Sequence, residues 1–580
     1  MKTHLAAIFL AGLCLALCGC KLLHWGDDTL VVGLHESVGV VNPLERPNRP
    51  SLAAQQLQLP ALIEFLGRTT REGRTHNQYR LSLVDTAQGS INWNYKRRGG
   101  IFAKFKLGKG RWYDPRTGGT YPITAFDVQA TIERIKKASE AARLAHQRGR
   151  LPPDPFANFV AEAIESIEVD QRNPRILYIR FGDHILGPNR MHALTFRVLP
   201  RDLLTELSDD EDVFVSATSY VWANWNESGG PSKAPDAVLH FKSRPDAPPG
   251  SVAQISLETK QDLRSYKIQL ESGAYGMAYG LPQTPGVDLD LPEHIAWKAY
   301  RSADVWTLVL NCKRLAREER RSLLAIVGRP ERIKILAELV RASYPDAGGD
   351  LLRRSVFPAH LVDRYPRVRE AIERQAARSL APLERAQRNL RGREFRLIYS
   401  YGMGDQFEPD IIAATIREPL EEASIALVED RLEYRDFLAE LESGHDFDLA
   451  LYKFGGAAQL PEDFDLAQIL PMVEERRAGG DDYAIKPAPH NYFHFAHLAL
   501  FEALLELRLY PSENEYGEID PGQLQRRQEA LVAIDRIVRE EAIGLFLFSP
   551  AYHWFWDDRF DLAFDESKII GGKNLPRYRN

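Results

Sequence analysis

The 580-residue sequence is poor in cysteine: it has four, and three of them, Cys14, Cys18 and Cys20, lie in the first 20 residues. A disulfide framework is therefore excluded for the rest of the chain, where Cys312 stands alone. Cys18-Gly19-Cys20 has one intervening residue rather than the two of a thioredoxin-type pair, and no second pair follows at zinc-finger spacing. Charge of one sign is also lacking. Lysine and arginine number 74 against 80 aspartates and glutamates, a net charge of −6, which gives no electrostatic reason to bind nucleic acid. After the amino terminus no apolar run reaches the about 18 residues needed to cross a bilayer. Catalytic signatures are missing too. His35-Glu36 begins an H-E pair, but position 39 is Gly, so the second ligand of H-E-x-x-H is absent. There is no G-x-S-x-G elbow and no P-loop, no repeat of 20–50 residues is evident, and no enzyme activity or cofactor is expected.

What is present begins with a targeting signal. Lys2 supplies a positive start, and Leu5 to Leu17 is an apolar stretch of 13 residues, short for a membrane span. Leu17-Cys18-Gly19-Cys20 resembles the lipobox of bacterial lipoproteins, with Leu three residues and a small residue one residue before the final Cys. The resemblance implies cleavage before Cys20, lipidation of its thiol, and a protein exported to the cell envelope and held to a membrane by lipid. Cys312 sits in the apolar run WTLVLNC, which reads as a buried, inert thiol.

Along the mature chain, TLVVGL (29–34) reads as a strand and QLPALIEFLG (58–67) as a helix. In IFAKFKLGKGRWYD (101–114), Phe105 and Leu107 fall on one face and Lys104 and Lys106 on the other, the pattern of a half-buried strand. Thr124, with Asp127 three residues on, forms a capping-box-like helix start, and Ala125, Val128, Ile132 and Ile135 line one helical face. Residues 164–181 read as a hairpin around an Asn-Pro turn. Residues 394–456 read as βαβαβ: strands at 394–400, 424–430 and 447–454, helices at 409–423 and 434–444, with Pro419 expected to end or kink the first helix. Such units build parallel sheets that bind ligands beyond the carboxyl ends of their strands. The third strand runs into Phe454-Gly455-Gly456-Ala457, where small residues leave room for a ligand near the backbone. Residues 522–542 form an amphipathic helix, and LFLFSPAYHWFW (545–556) reads as core strand. One cluster of potential metal ligands stands out, His490, His494 and His497 at i, i+4 and i+7. On a helix these would share a face, whereas the neighbouring prolines and aromatics favour extended chain, which separates them.

Several of these segments, in order, resemble the extracellular solute-binding proteins of the oligopeptide/dipeptide/nickel class, the receptors of ABC importers. The most specific stretch is FKLGKGRWYDPRTGGTYPITAFDVQATIERI (105–135), which carries Gly110, Trp112, Asp114, Gly119, Pro122, Thr124, Ala125, Asp127 and Val128. NPL (42–44), QLESGAYGMAYGLP (269–282), RRSLLAIVGRPERI (320–333) and ELESGHDFDLALYKFGG (440–456) are weaker echoes. The resemblance implies a two-lobed α/β fold of the periplasmic-binding-protein type, in its larger three-subdomain form, with mixed and parallel sheets and a hinge cleft. It implies a signal peptide over 1–19, lobe I over 20–285 with a subdomain at about 60–190, lobe II over 286–543, and a return to lobe I over 544–580. It further implies a monomer that takes a peptide or similar small solute and delivers it to a permease and its ATPase. The strand-end residues Phe454, Gly455, Gly456 and Ala457, together with Asn42, are the candidate ligand contacts, and Asp463 or Asp465 is the candidate carboxylate for a ligand ammonium. Members that bind peptides carry an Asp where this chain has Ala457, so α-amine recognition in the usual manner is not expected. A nickel- or haem-type ligand, using the His cluster, and an envelope sensor that has lost transport are the alternatives.

Overall fold

The structure is a computed structural model that describes residues 29–34, 49–71, 74–97, 100–146, 155–182, 185, 188–205, 213–223, 238–245, 247, 251–259, 263–281, 291–301, 305–343, 352–353, 355–357, 362, 365–378, 382–400, 408–454, 469–476, 483–488, 491–509 and 520–557. Two large mixed sheets organise these residues. The first has seven strands, in spatial order Tyr220–Trp222, Val238–Ser243, Gln254–Thr259, Thr29–Leu34, Met277–Leu281, Ala551–Asp557 and Ile295–Arg301. The second has five, in the order Ala426–Leu432, Glu394–Ser400, Leu449–Phe454, Val305–Leu310 and Gly544–Phe548. A four-stranded antiparallel sheet (Ile91–Arg97, Gly100–Lys106, Ile176–Phe181, Ile164–Val169) forms a separate layer against the helices Ala125–His146 and Pro155–Ala163.

Each sheet has its own core because each strand carries apolar residues for it. In the five-stranded sheet Val305–Leu310 is buried at every position, as a central strand covered on both faces must be. Its alternate residues divide between two cores: Val305 and Val309 pack with Phe454, Phe493 and Ile534, whereas Trp306, Leu308 and Leu310 pack with Leu323, Leu397 and Ile416. The βαβαβ reading of 394–456 holds. The three strands pair in parallel, with Glu394–Ser400 between the other two. Pro419, expected to end or kink its helix, lies inside Glu408–Glu422, which continues past it.

The segment 105–135 shows why its residue types matter. Asp127 is buried and accepts hydrogen bonds from the Thr124 backbone N–H (2.7 Å), the Thr124 hydroxyl (3.2 Å), the Arg201 backbone N–H (2.9 Å) and, at longer range, Trp112 Nε1 (3.5 Å). One carboxylate thus closes the helix start, orients a buried indole and ties down the start of the short helix Arg201–Leu204, 74 residues away.

Two expectations are corrected. Residues 58–67 are not a helix: the helix is Arg49–Gln58, and Ile63–Arg71 is a strand paired with Arg74–Leu81. The short apolar run is compatible with either state, and the hairpin partner decides it. The aromatic run 545–556 is not one strand. It breaks at Ser549-Pro550 into Gly544–Phe548 and Ala551–Asp557, which belong to different sheets.

Candidate ligand-binding cleft

Among the described residues the chain passes between the two large sheets at two places. Ile295–Arg301 ends the seven-stranded sheet and Val305–Leu310 begins in the five-stranded one, while Gly544–Phe548 and Ala551–Asp557 run the opposite way with two residues between them. Register places these crossings side by side: Arg301 pairs with Ala551 on one sheet, and Trp306 pairs with Phe548 on the other. On the five-stranded sheet Phe454 pairs with Val305, so Leu449–Phe454 and its parallel neighbours end at the crossing. On the seven-stranded sheet Leu281 pairs with His553, near the crossing end of that strand, and Thr29–Leu34 and Gln254–Thr259 run parallel to Met277–Leu281. The carboxyl ends of the parallel strands in both sheets therefore point towards the same two connections. This is the place where open α/β sheets bind ligands.

Phe454 stands at this place, but its ring belongs to the core of the five-stranded sheet. It is 7% exposed and stacks on Phe493 (centroids 5.7 Å, planes 6° apart), with Tyr452 edge-on at 4.7 Å and Tyr492 at 6.2 Å. Gly455, Gly456, Ala457, Asp463 and Asn42 lie outside the described residues, as do Cys20 and His490. Residues 35 and 455 immediately follow strands that end at the crossing.

Polar groups that the sequence reading did not select lie on the same end of the five-stranded sheet. Lys453 holds its ammonium over the Trp306 ring at 5.7 Å, a cation–π contact at the crossing itself. Its sequence signal is a lysine within a strand that is otherwise apolar, LALYKF. On the neighbouring strands Glu394–Ser400 and Ala426–Leu432 and the helix Glu408–Glu422, Tyr399 donates to Glu429 Oε2 (3.1 Å), Arg417 bonds Glu429 Oε1 (3.1 Å), and Arg431 pairs with Asp410 (3.0 Å). Burial, reinforced by the Glu429 carboxylate, pushes the Tyr399 phenol up to about 12, so it stays protonated as a donor.

The histidines have other work. His494 is neither helical nor extended: it has φ 50° and sits in the irregular segment before the helix Leu498–Leu509. Its Nε2–H donates to the Leu441 carbonyl (2.9 Å), an orphan acceptor in the last turn of the helix Tyr434–Ser443. Burial pulls its pKa below the ordinary value, which favours the neutral ring. His497 stacks on Phe495 (6.1 Å). Among the described residues no group of three His, Cys, Asp or Glu side chains could hold a metal ion. Burial also pushes the Cys312 thiol up to about 12, in keeping with an inert sulfur.

No known family profile and no curated protein matches the sequence. Solved structures do match. A dipeptide-binding protein from Pseudoalteromonas in complex with Met-Leu superposes with a TM-score of 0.67 at 12% identity, over 95% of this chain and 100% of that one. This is the fold of the periplasmic solute-binding proteins. The oligopeptide-binding protein of Bacillus subtilis in complex with a nonapeptide gives a TM-score of 0.64 at 14% identity, over 95% and 99% of the two chains. A nickel-binding counterpart from Staphylococcus aureus, solved with Ni(L-His)2, gives 0.62 at 13% identity, over 95% and 100%. The solute-binding-protein fold, expected from 105–135 and the weaker echoes, thus extends over nearly the whole chain. Among the described residues no helix is long and apolar enough to cross a membrane.

Proposed function

We propose that this chain is the substrate-binding protein of an ABC transporter, which captures a peptide or similar small solute between its two large sheets and hands it to a membrane permease. One observation carries the reading: two short antiparallel connections join the sheets, and the carboxyl ends of the parallel strands in both sheets point towards them. Two bodies joined in this way close on a ligand by rotating about the connections, with no chemistry performed on it. The neighbours support the solute class, since they were solved with a dipeptide, a nonapeptide and a nickel–histidine complex.

In this reading Asn42, Phe454, Gly455, Gly456, Ala457 and Asp463 lie along the cleft. Phe454 acts through its backbone and through the aromatic stack beneath, because its ring is already packed. The lobes divide at the two crossings rather than at the expected 285/286 and 543/544: lobe I is the seven-stranded body, up to Arg301 and from Ala551 onward, and lobe II is the five-stranded body from Val305 to Phe548. Cys20, acylated after cleavage of residues 1–19, holds the protein to the cell envelope facing outward. The several acyl chains of a bacterial lipoprotein anchor firmly where one chain would not.

The test is to purify the protein from its own host, identify co-purified ligand by mass spectrometry, and titrate peptides and nickel–histidine by calorimetry. A bound peptide or small solute, with a smaller radius of gyration on binding, is the expected result. No binding across a diverse peptide library and no ligand-dependent compaction would refute the peptide reading. Binding of nickel–histidine alone would move the substrate to the metal-complex class.

A further inference from the structure

Of the two crossings, the second lies wholly within the described residues. The second runs from Gly544–Phe548 through Ser549 and Pro550 into Ala551–Asp557. Before it leaves the five-stranded sheet, the strand is bulged, since Trp306 pairs with Phe548 and the next residue, Thr307, pairs with Phe546. Leu547, left over by the bulge, has its carbonyl taken by the Arg353 backbone N–H at 2.8 Å, next to an antiparallel bridge between Leu352 and Phe548. Leu352 and Arg353 thus lie along the edge of this strand and, with residues 355–357, form a short strap. The strap is rooted in the five-stranded sheet's core by Val356 and Phe357, each 1% exposed. From it the Arg353 side chain reaches past the end of the strand. Its Nε–H donates to the Ser549 hydroxyl at 2.9 Å, and its Nη1 donates to the Val356 carbonyl at 3.3 Å, which fixes the guanidinium from behind. Ser549 is 4% exposed.

We infer that Arg353 is a positioning residue for lobe closure: by tying Ser549 to the five-stranded body, it confines the pivot of the second crossing to Pro550. The inference rests on the two-lobed receptor reading. On one side Ser549 is held by a charge-assisted hydrogen bond, and on the other Ala551 is paired with Arg301. Pro550 between them has no N–H to bond and a fixed φ, which leaves its ψ and the torsions of its immediate neighbours to absorb a rotation. A pivot of one residue gives a hinge with a defined axis. Without the brace, the free connector lengthens by Ser549 and the bulged strand end can fray.

The experiment is amide hydrogen exchange on the unliganded full chain, for Ser549→Ala, Arg353→Met and Ser549→Thr. Exchange of the amides from Leu547 to His553 is expected to speed up about tenfold in the first two variants, and the amides of Val305–Leu310 are expected to keep their rates. Ser549→Thr retains the hydroxyl and is expected to exchange like the parent. The double variant Arg353→Met/Ser549→Ala is expected to be no faster than Arg353→Met alone, because the Arg353–Ser549 bond is already lost in that variant. Unchanged exchange over 547–553, or an equal acceleration of 305–310, would overturn the inference. Small-angle scattering on the parent with Met-Leu, a nonapeptide library and nickel–histidine separates this from the function. Brace-dependent exchange without compaction on any probe keeps the brace and removes the receptor reading. Compaction without brace-dependent exchange does the reverse.

Discussion

Replacing Gly444 by alanine places a methyl carbon 2.3 Å from His494 Nε2 and 2.6 Å from its Cε1, distances at which one of the two must move. Gly444 ends the helix Tyr434–Ser443 with φ 60°, a conformation that costs a residue with a Cβ about 1 kcal/mol. The ring cannot retreat freely. Its Nε2–H is bonded to the Leu441 carbonyl at 2.9 Å, and its backbone N–H to the Asn491 carbonyl at 2.8 Å. Shifting it forfeits about 1 kcal/mol of hydrogen bond and adds about 1 kcal/mol or more of overpacking. Gly444→Ala is therefore expected to cost about 3 kcal/mol in the native background and only about 1 kcal/mol in His494→Ala, where the methyl has room. The coupling, about 2 kcal/mol, is read from denaturant unfolding of the four proteins of the cycle, with equal m values as the condition for comparing them. Equal costs of Gly444→Ala in both backgrounds would show that His494 does not cap this helix, and the case for excluding it as a metal ligand would fall with it.

The other predictions concern the rest of the fold and the anchor. Asp127→Ala removes the acceptor for Thr124, Arg201 and Trp112, and is expected to destabilise by about 2–4 kcal/mol, measured by the same unfolding assay. Because the folded His494 has a pKa below its ordinary value, the unfolded chain takes up the proton first. Its contribution to stability is thus complete above about pH 6.5 and is lost as the pH falls below that value, so His494→Gln should flatten the unfolding free energy below about pH 6.5. Arg320 donates to the carbonyls of Leu315 (2.7 Å), Glu541 (2.8 Å) and Ala542 (3.3 Å) and so neutralises the end of the helix Pro521–Glu541. Arg320→Met should cost about 3 kcal/mol, and an unchanged denaturation midpoint would contradict this. Cys20→Ala is expected to release the protein into the soluble fraction or to leave it unprocessed, and a variant that stays membrane-bound at the mature size would show that Cys20 is not the anchor.

Local chemistry carried much of the fold into the sequence. Thr124 and Asp127 announced a helix start because a carboxylate three residues in can reach the freed backbone N–H groups, and the structure has that bond. The alternation of 394–456 between apolar strands and amphipathic helices announced a parallel unit, since only crossover helices can link parallel neighbours over such short spans. What tertiary structure alone decided is which strand joins which sheet, and what each polar group faces. Residues 63–71 became a strand because a hairpin partner was available, and 545–556 split because Ser549-Pro550 passes from one sheet to the next. Phe454 was placed correctly at a strand end, but only packing shows its ring spent on the core. His494 looked like a ligand in a row of histidines, and it is a helix cap because the chain brings the end of a helix 53 residues upstream against it. The Arg353–Ser549 bond spans 196 residues and leaves no mark in sequence spacing. Hydrogen-bond geometry between distant segments is set by how the sheets pack, and periodicity reports only what a segment buries, not what it meets there.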